Sequence, residues 1–230
     1  MTLQESWDTS INGSGMMDDN ESWIETQRGS RKASLLVIAY ARSVWHLVIE
    51  ADLNDLSEWY GPGRHRELID SCSSAIDSCE RAVEGVATHV ELAALTEMEH
   101  LDRSNHGPYL SLALGEATQF AIDAFGGDIQ VCYSFGRPCY EQFDRLLADL
   151  FRDIFGNPFR PVVFDPAWHT EHTIGMAAKM YDDRDFAAMP ILADAPEDAG
   201  CDSETILTHC REPGVHVRGC WVVDLVLGKS

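Results

Sequence analysis

The longest apolar run of the chain, Ala33 to Ile49, places the strongest constraint on its fold. Apolar residues occupy most of the circumference of a helix drawn through this run, with Arg42, Ser43 and His46 as interruptions. A helix that is apolar nearly all round is buried by other elements, so we predict a buried central helix from Ala33 to Glu50. The run is too interrupted to match the roughly 18 apolar residues that cross a bilayer, and we expect no membrane segment.

Further helices are predicted wherever apolar residues recur at intervals of three and four. They are expected at about 64–86, 88–101, 110–125, 140–155, 167–181, 185–195 and 203–211, and the apolar segment 217–227 is either a helix or a strand. Pro190 is expected to kink the helix at 185–195, and Pro196 to end it.

Two segments depart from the helical pattern. Residues 129–135 alternate with period two, as a strand does, but no second strand is evident to pair with them. Residues 156–166 contain three prolines and are predicted to be an extended connection. We therefore predict an all-α or nearly all-α fold, a single multi-helix domain of about eight or nine helices with one extended proline-rich connection.

The first residues of the chain, 1–29, are polar and acidic and lack the apolar density to fold alone. We expect them to form an acidic, flexible N-terminal segment, followed by a helical domain at 30–230. The exceptions are Trp7, Trp23 and Ile24, which would belong either to a docking segment or, as we favour, to a flap packed on the domain.

The net charge of −21 limits the range of partners. It opposes direct contact with nucleic-acid phosphates, which need a basic face, and it favours a protein partner with a basic surface. The start of the chain has no signal-peptide pattern, and its seven cysteines lack the spacing of a disulfide framework. We therefore expect reduced thiols and a cytoplasmic location.

The candidate ligands for a metal are His209, Cys210, His216 and Cys220, in the C-terminal part of the chain. Zinc accepts two Cys and two His in a tetrahedron, and a turn at 213–214 would fold Cys210 back toward the later pair. Against this, adjacent residues of a helix point about 100° apart, and no Cys-x-x-Cys pair is present. Buried thiols with hydrogen-bonded histidines are the favoured interpretation, and His46 is a more remote candidate ligand.

Other combinations of potential catalytic or metal-binding residues are weaker candidates for a functional site. His169, Glu171 and His172 do not form His-Glu-x-x-His and are interpreted as an exposed first helical turn. His89-Val90-Glu91 with Pro138-Cys139 lacks the second cysteine of a zinc deaminase. A catalytic Cys–His pair assembled only in space has no local signature and stays open.

Four sequence blocks carry a resemblance to a known family. They are Leu150–Pro161, Asp165–Trp168, Met189–Ala195 and Gly200–Gly228, the last containing His209-Cys210 and His216-Val217-Arg218-Gly219-Cys220-Trp221. In these blocks the chain resembles a family of uncharacterised planctomycete proteins. The resemblance implies a helical fold with a C-terminal module at about 148–230, and it implies no activity. Where that family often has a cysteine cluster before Trp45-His46, residues 39–43 contain no cysteine.

We expect a non-enzymatic, cytoplasmic helical protein without a cofactor, acting as an interaction or regulatory module through its acidic surface. The alternative is a zinc-binding protein or a metal-dependent hydrolase that uses the C-terminal Cys and His residues. Arg211, His216 and Arg218 form a small basic edge, which we expect to contact Asp and Glu side chains or an anionic ligand.

Overall fold

The computed structural model describes residues 3–10, 15–16, 20–27, 30–52, 73–74, 76–88 and 137–229. Regular secondary structure within these ranges is helical, and no strand occurs in them. The predicted all-α class is therefore confirmed for the described residues. The helices, numbered in chain order, are α1 (Leu3–Thr9), α2 (Glu21–Thr26), α3 (Arg31–Asp52), α4 (Arg137–Phe155), α5 (Glu171–Asp183), α6 (Met189–Asp198), α7 (Glu204–Arg211) and α8 (Trp221–Leu227).

The chain divides into two compact units. Unit 1 joins residues 1–20 to residues 144–230, and unit 2 comprises residues 21–143. The boundary drawn from composition, between residues 29 and 30, falls inside unit 2. Helix α1 belongs to unit 1, where the side chain of Trp7 is buried.

In the described part of unit 2, α3 confirms the helix predicted at Ala33–Glu50. Leu35 and Leu36 are buried on it. Arg42, an interruption in the apolar run, reaches the helical residues 76–83, where its guanidinium lies 2.9 Å from a carboxylate oxygen of Asp77 and 3.1 Å from one of Glu80. Arg42, which interrupts the apolar run, is thus an ion-paired residue of a helix whose other residues are largely apolar.

Unit 1 buries apolar residues of α4 and of the helices that follow it. The amphipathic helix predicted at 140–155 is present as α4, and its apolar face is buried. The helices that follow, α5 to α8, share one hydrophobic cluster, to which the extended connection contributes Phe164. The connection at 156–165 contains no helix, as its prolines predicted.

Helix α5 begins later than its apolar pattern predicted. Residues Pro166–Trp168 form a 3₁₀ turn capped by the side chain of Asp165, and α5 starts only at Glu171. The hydroxyl of Thr170 accepts a hydrogen bond from the Thr173 N–H at 3.1 Å and so caps the new helix.

The predicted effects of the prolines of α6 are wrong. Pro190 lies in the first turn of α6, where its missing N–H would have had no helical partner. Pro196 lies inside the helix and does not end it, since α6 continues to Asp198. Only one hydrogen bond of the last turn is lost there, and the carbonyl of Pro196 accepts from the N–H of Cys201 at 2.8 Å.

The segment 217–227, left open between helix and strand, contains the helix α8, preceded by a turn at 217–220. The helices predicted at 88–101 and 110–125, the strand-like segment 129–135 and the start of the helix at 64–86 lie outside the described residues. None of the described helices combines the length and the apolar character that a membrane crossing requires.

Candidate metal centre

Four side chains of unit 1 converge on one point. They are Asp153, His209, His216 and Cys220, and one potential ligand atom from each lies within 4.8 Å of all the others. Asp153 comes from the last turn of α4, His209 from α7, His216 from the loop after α7, and Cys220 from the N-cap of α8. The tertiary fold thus brings together three separate elements and a loop at this cluster, which we call the metal cluster.

Two imidazole nitrogen atoms make the closest contacts within the metal cluster. His216 Nδ1 lies 2.7 Å from Asp153 Oδ1. His209 Nε2 lies 3.3 Å from the same oxygen and also 3.3 Å from Cys220 Sγ. Four donor atoms of three chemical kinds, nitrogen, oxygen and sulfur, therefore face a common centre.

Asp153 is held in place by the backbone as well as by the histidines. Its Oδ2 accepts a hydrogen bond from the N–H of Val217 at 2.9 Å, which leaves Oδ1 directed at the two imidazoles. Burial of this carboxyl raises its pKa, but hydrogen bonds with His209 and His216 outweigh burial and bring the pKa below its usual value. Asp153 is therefore a buried anion whose negative charge faces the two imidazoles.

Cys220 is fully buried, with no exposed surface. Burial, assisted by the negative charge of Asp153, raises the pKa of its thiol well above the ordinary value. Without a cation the sulfur is protonated and unreactive, because only the thiolate is a nucleophile or a metal ligand. A bound metal ion would supply the charge that allows the proton to leave.

His216 has a ring nitrogen that no hydrogen bond satisfies. Its Nε2 is buried and has no partner, while its Nδ1 contacts Asp153. A buried polar atom left unpaired costs roughly 1–3 kcal/mol, so a purely hydrogen-bonded network would be incomplete at this position. An ion bound at Nδ1, the nitrogen beside Asp153, would leave Nε2 unpaired, so only coordination through Nε2 would give both nitrogens a partner.

The geometry is unlike that of a catalytic Cys–His–Asp relay. A relay needs the cysteine on one nitrogen of the imidazole and the carboxylate on the other. In this cluster both Cys220 and Asp153 face Nε2 of His209. An ion bound by all of these atoms would require the same convergence on one side of the ring.

A shallow groove of about 430 Å³ runs along the surface beside the metal cluster. One wall is the face of α7 that carries Glu204, Thr208 and His209, and the other is formed by α1 and the end of α4. The ring of His209 also packs against Trp221, with centroids 5.0 Å apart. His209 therefore lies between the groove and the buried part of the cluster.

Three of the four ligands predicted from the sequence meet in the cluster, and Asp153 stands where Cys210 was expected. Cys210 belongs to the hydrophobic core, where burial raises its thiol pKa to about 12. Adjacent helical residues point in different directions, which is why His209 joins the cluster and Cys210 does not. The side chain of His46, on α3 of unit 2, lies outside the described residues. Among the cysteines whose side chains the structure describes, Cys79, Cys201, Cys210 and Cys220 are free thiols.

The basic edge expected at Arg211, His216 and Arg218 makes contacts within the chain. Arg211 pairs with Asp194 and Glu197 of α6, and His216 contacts Asp153. Arg218 donates to the backbone carbonyls of Tyr181 and Asp182 at the end of α5. Arg211 and His216 thus contact acidic side chains of the same chain.

The structure thus defines an all-helical protein, in its described residues, with a buried Asp-His-His-Cys cluster. Comparison with protein-family models, with curated proteins and with solved structures finds no match to this chain. The resemblance to planctomycete proteins stays a proposal, and the function must be argued from the cluster itself.

Proposed function

We propose that the protein binds one zinc ion through Asp153, His209, His216 and Cys220, and that the ion stabilises unit 1. The proposal depends on one observation above all: potential ligand atoms of Asp153 and of three residues between positions 209 and 220 lie within 4.8 Å of one another. Because these residues come from α4, α7, α8 and a loop, an ion bound by all four would fix the closing elements of the unit.

The donor set fits zinc better than the hard cations. Zinc accepts sulfur, imidazole nitrogen and carboxylate oxygen, whereas Ca²⁺ and Mg²⁺ prefer oxygen alone. Bond lengths of about 2.0–2.1 Å to N and O and about 2.3 Å to S place tetrahedral ligand atoms roughly 3.3–3.7 Å apart. The distances of 3.3 Å from His209 Nε2 to Asp153 Oδ1 and to Cys220 Sγ match this spacing. The 2.7 Å between His216 Nδ1 and the same oxygen is a hydrogen-bond distance, so these two atoms would move apart by about 0.6 Å if both bound the ion.

A structural role is favoured over hydrolysis. A catalytic zinc keeps one position open for water or substrate, whereas four protein ligands complete the tetrahedron. Asp153 and Cys220 are buried, so the side of the cluster that they form is closed to solvent. The closed side of the cluster supports the alternative of a zinc-binding protein, which the sequence had suggested. It does not support the metal-dependent hydrolase. The expected protein partner with a basic surface stays a prediction, since it depends on the net charge alone.

The test is metal analysis of the purified full chain together with cobalt substitution. We expect one zinc per chain, and in the cobalt form a charge-transfer absorption from a single thiolate. Cys220→Ala should remove that absorption and weaken zinc binding at least tenfold, because the protein thereby loses its only sulfur ligand.

Cys210→Ala is the matched control. Both cysteines are buried in the same core, so both variants lose a similar packing contribution. Only the Cys220 variant should change the metal content or the cobalt spectrum. A wild-type chain that retains no zinc at micromolar free metal, or a thiolate band that vanishes with Cys210, would overturn the proposal.

A further inference from the structure

Helix α1 is anchored on the same helix that supplies Asp153. The Trp7 indole is buried edge-on against Phe151 of α4, with centroids 6.2 Å apart, and against Phe159 at 6.1 Å. The Arg152 guanidinium donates two hydrogen bonds to the carbonyl of Trp7, at 3.1 and 2.8 Å, and a further one to the carbonyl of Ser10. Helix α1 and Ser10 are thus held by a residue adjacent to a proposed metal ligand.

The contacts of α1 extend to the turn after α4. Asn157 donates a hydrogen bond of 2.8 Å to a carboxylate oxygen of Asp8, and the guanidinium of Arg160 lies 3.5 Å from the other oxygen. This turn is also in close contact with α8. A Cβ atom built on Gly156 would lie only 3.0 Å from the ring of Trp221.

The turn and α8 in turn support the metal cluster. Trp221 follows Cys220 directly and packs against the ring of His209. Helix α1 and the metal cluster therefore restrain the same elements. These elements are the end of α4, the turn at 156–160 and the start of α8. Two ligands that order the same elements assist each other, because the second binds elements that the first has already ordered.

We propose that docking of α1 and binding of zinc are coupled, so that α1 acts as an intramolecular strap that regulates the occupancy of the metal cluster. This inference rests on the proposed zinc site. Coupling is reciprocal: a docked α1 raises the affinity for zinc, and zinc favours the docked α1 by the same factor. Release of α1, for example by a competing partner, would then lower the affinity of unit 1 for zinc.

The experiment compares the zinc affinity of full-length variants by competition with a chromophoric chelator. Arg152→Lys removes the forked donor that holds two carbonyls but keeps the charge. Arg145→Lys, at an exposed position of the same helix, is the matched control. We expect zinc binding to weaken about tenfold in Arg152→Lys and in Trp7→Ala, within the usual range of coupling between sites, and to change less than twofold in the control.

A second measurement needs no variant. Hydrogen exchange of the amides of residues 3–10 in the wild-type chain should slow about tenfold on addition of Zn²⁺, by the reciprocity of the coupling. Failure of the wild type to bind zinc would overturn the proposed function. Normal zinc binding, with equal affinity in all variants and unchanged exchange in α1, would overturn the coupling alone.

Discussion

Replacing Asp153 by Asn tests whether this carboxylate is a metal ligand or only a hydrogen-bond acceptor. Asn has nearly the same shape and can still accept the hydrogen bond from the Val217 N–H. What it lacks is the negative charge that faces His209 and His216. The substitution therefore removes the electrostatic contribution while leaving the packing of α4 almost unchanged.

The expected loss has two parts. Without metal, the contacts to His216 at 2.7 Å and to His209 at 3.3 Å lose an ionised partner, and hydrogen bonds to charged groups contribute about 1.5–3 kcal/mol each. Since the second contact is long, we expect the free energy of unfolding of unit 1 to fall by about 2–4 kcal/mol. With zinc at about 100 times its Kd, the wild type gains about 2.7 kcal/mol, and a variant with a 100-fold higher Kd gains only about 0.4 kcal/mol. The loss with zinc should therefore be about 2 kcal/mol larger than the loss in a chelator.

The measurement is native-state hydrogen exchange of the α7 and α8 amides, with excess zinc and with a chelator, because these amides report on unit 1 alone. Asp149→Asn is the control, since this residue lies one turn earlier on α4 and its side chain is exposed. Its loss should stay below about 1 kcal/mol in both conditions. Equal losses for Asp153→Asn in zinc and in chelator would show that Asp153 is not a ligand and would refute the reasoning.

Two further substitutions test the backbone of unit 1 with matched controls. Gly156 and Gly228 both have positive φ, of 65° and 63°, but of these two only Gly156 would place a Cβ atom against a neighbour. Gly156→Ala should therefore lower the free energy of unfolding in urea by about 1–3 kcal/mol more than Gly228→Ala does. Equal losses would show that the ring of Trp221 can shift without cost. Thr170→Ala removes the hydroxyl that caps α5 and should cost about 1 kcal/mol. Ser203→Ala, at an N-cap without a side-chain hydrogen bond, should cost clearly less, and a reversed order would contradict the assignment of the caps.

The sequence by itself determined the helical class of the described residues. The apolar run at 33–49 predicted the helix observed as α3, and apolar residues at intervals of three and four predicted α4, because this period decides which residues can share a buried face. The prolines of residues 156–166 likewise ruled out a helix there through the loss of backbone donors. The prediction that Pro196 ends the helix was wrong, because the free-energy cost of a proline inside a helix depends on how much of the helix follows it, and only a short part of α6 does.

The metal cluster was decided by the tertiary structure. His209, His216 and Cys220 stood out because they are close in sequence and chemically suited to zinc, but no sequence signal marked Asp153, which lies 63 residues before His216. On a helix rich in charges, an aspartate is normally a solvated residue, but the fold buries this one and brings His209, His216 and the Val217 N–H to its carboxylate. Proximity in sequence also suggested Cys210, whereas the direction of its side chain on α7 places it in the core. Local spacing thus indicated the chemistry, and the choice of ligands depended on which helix faces meet.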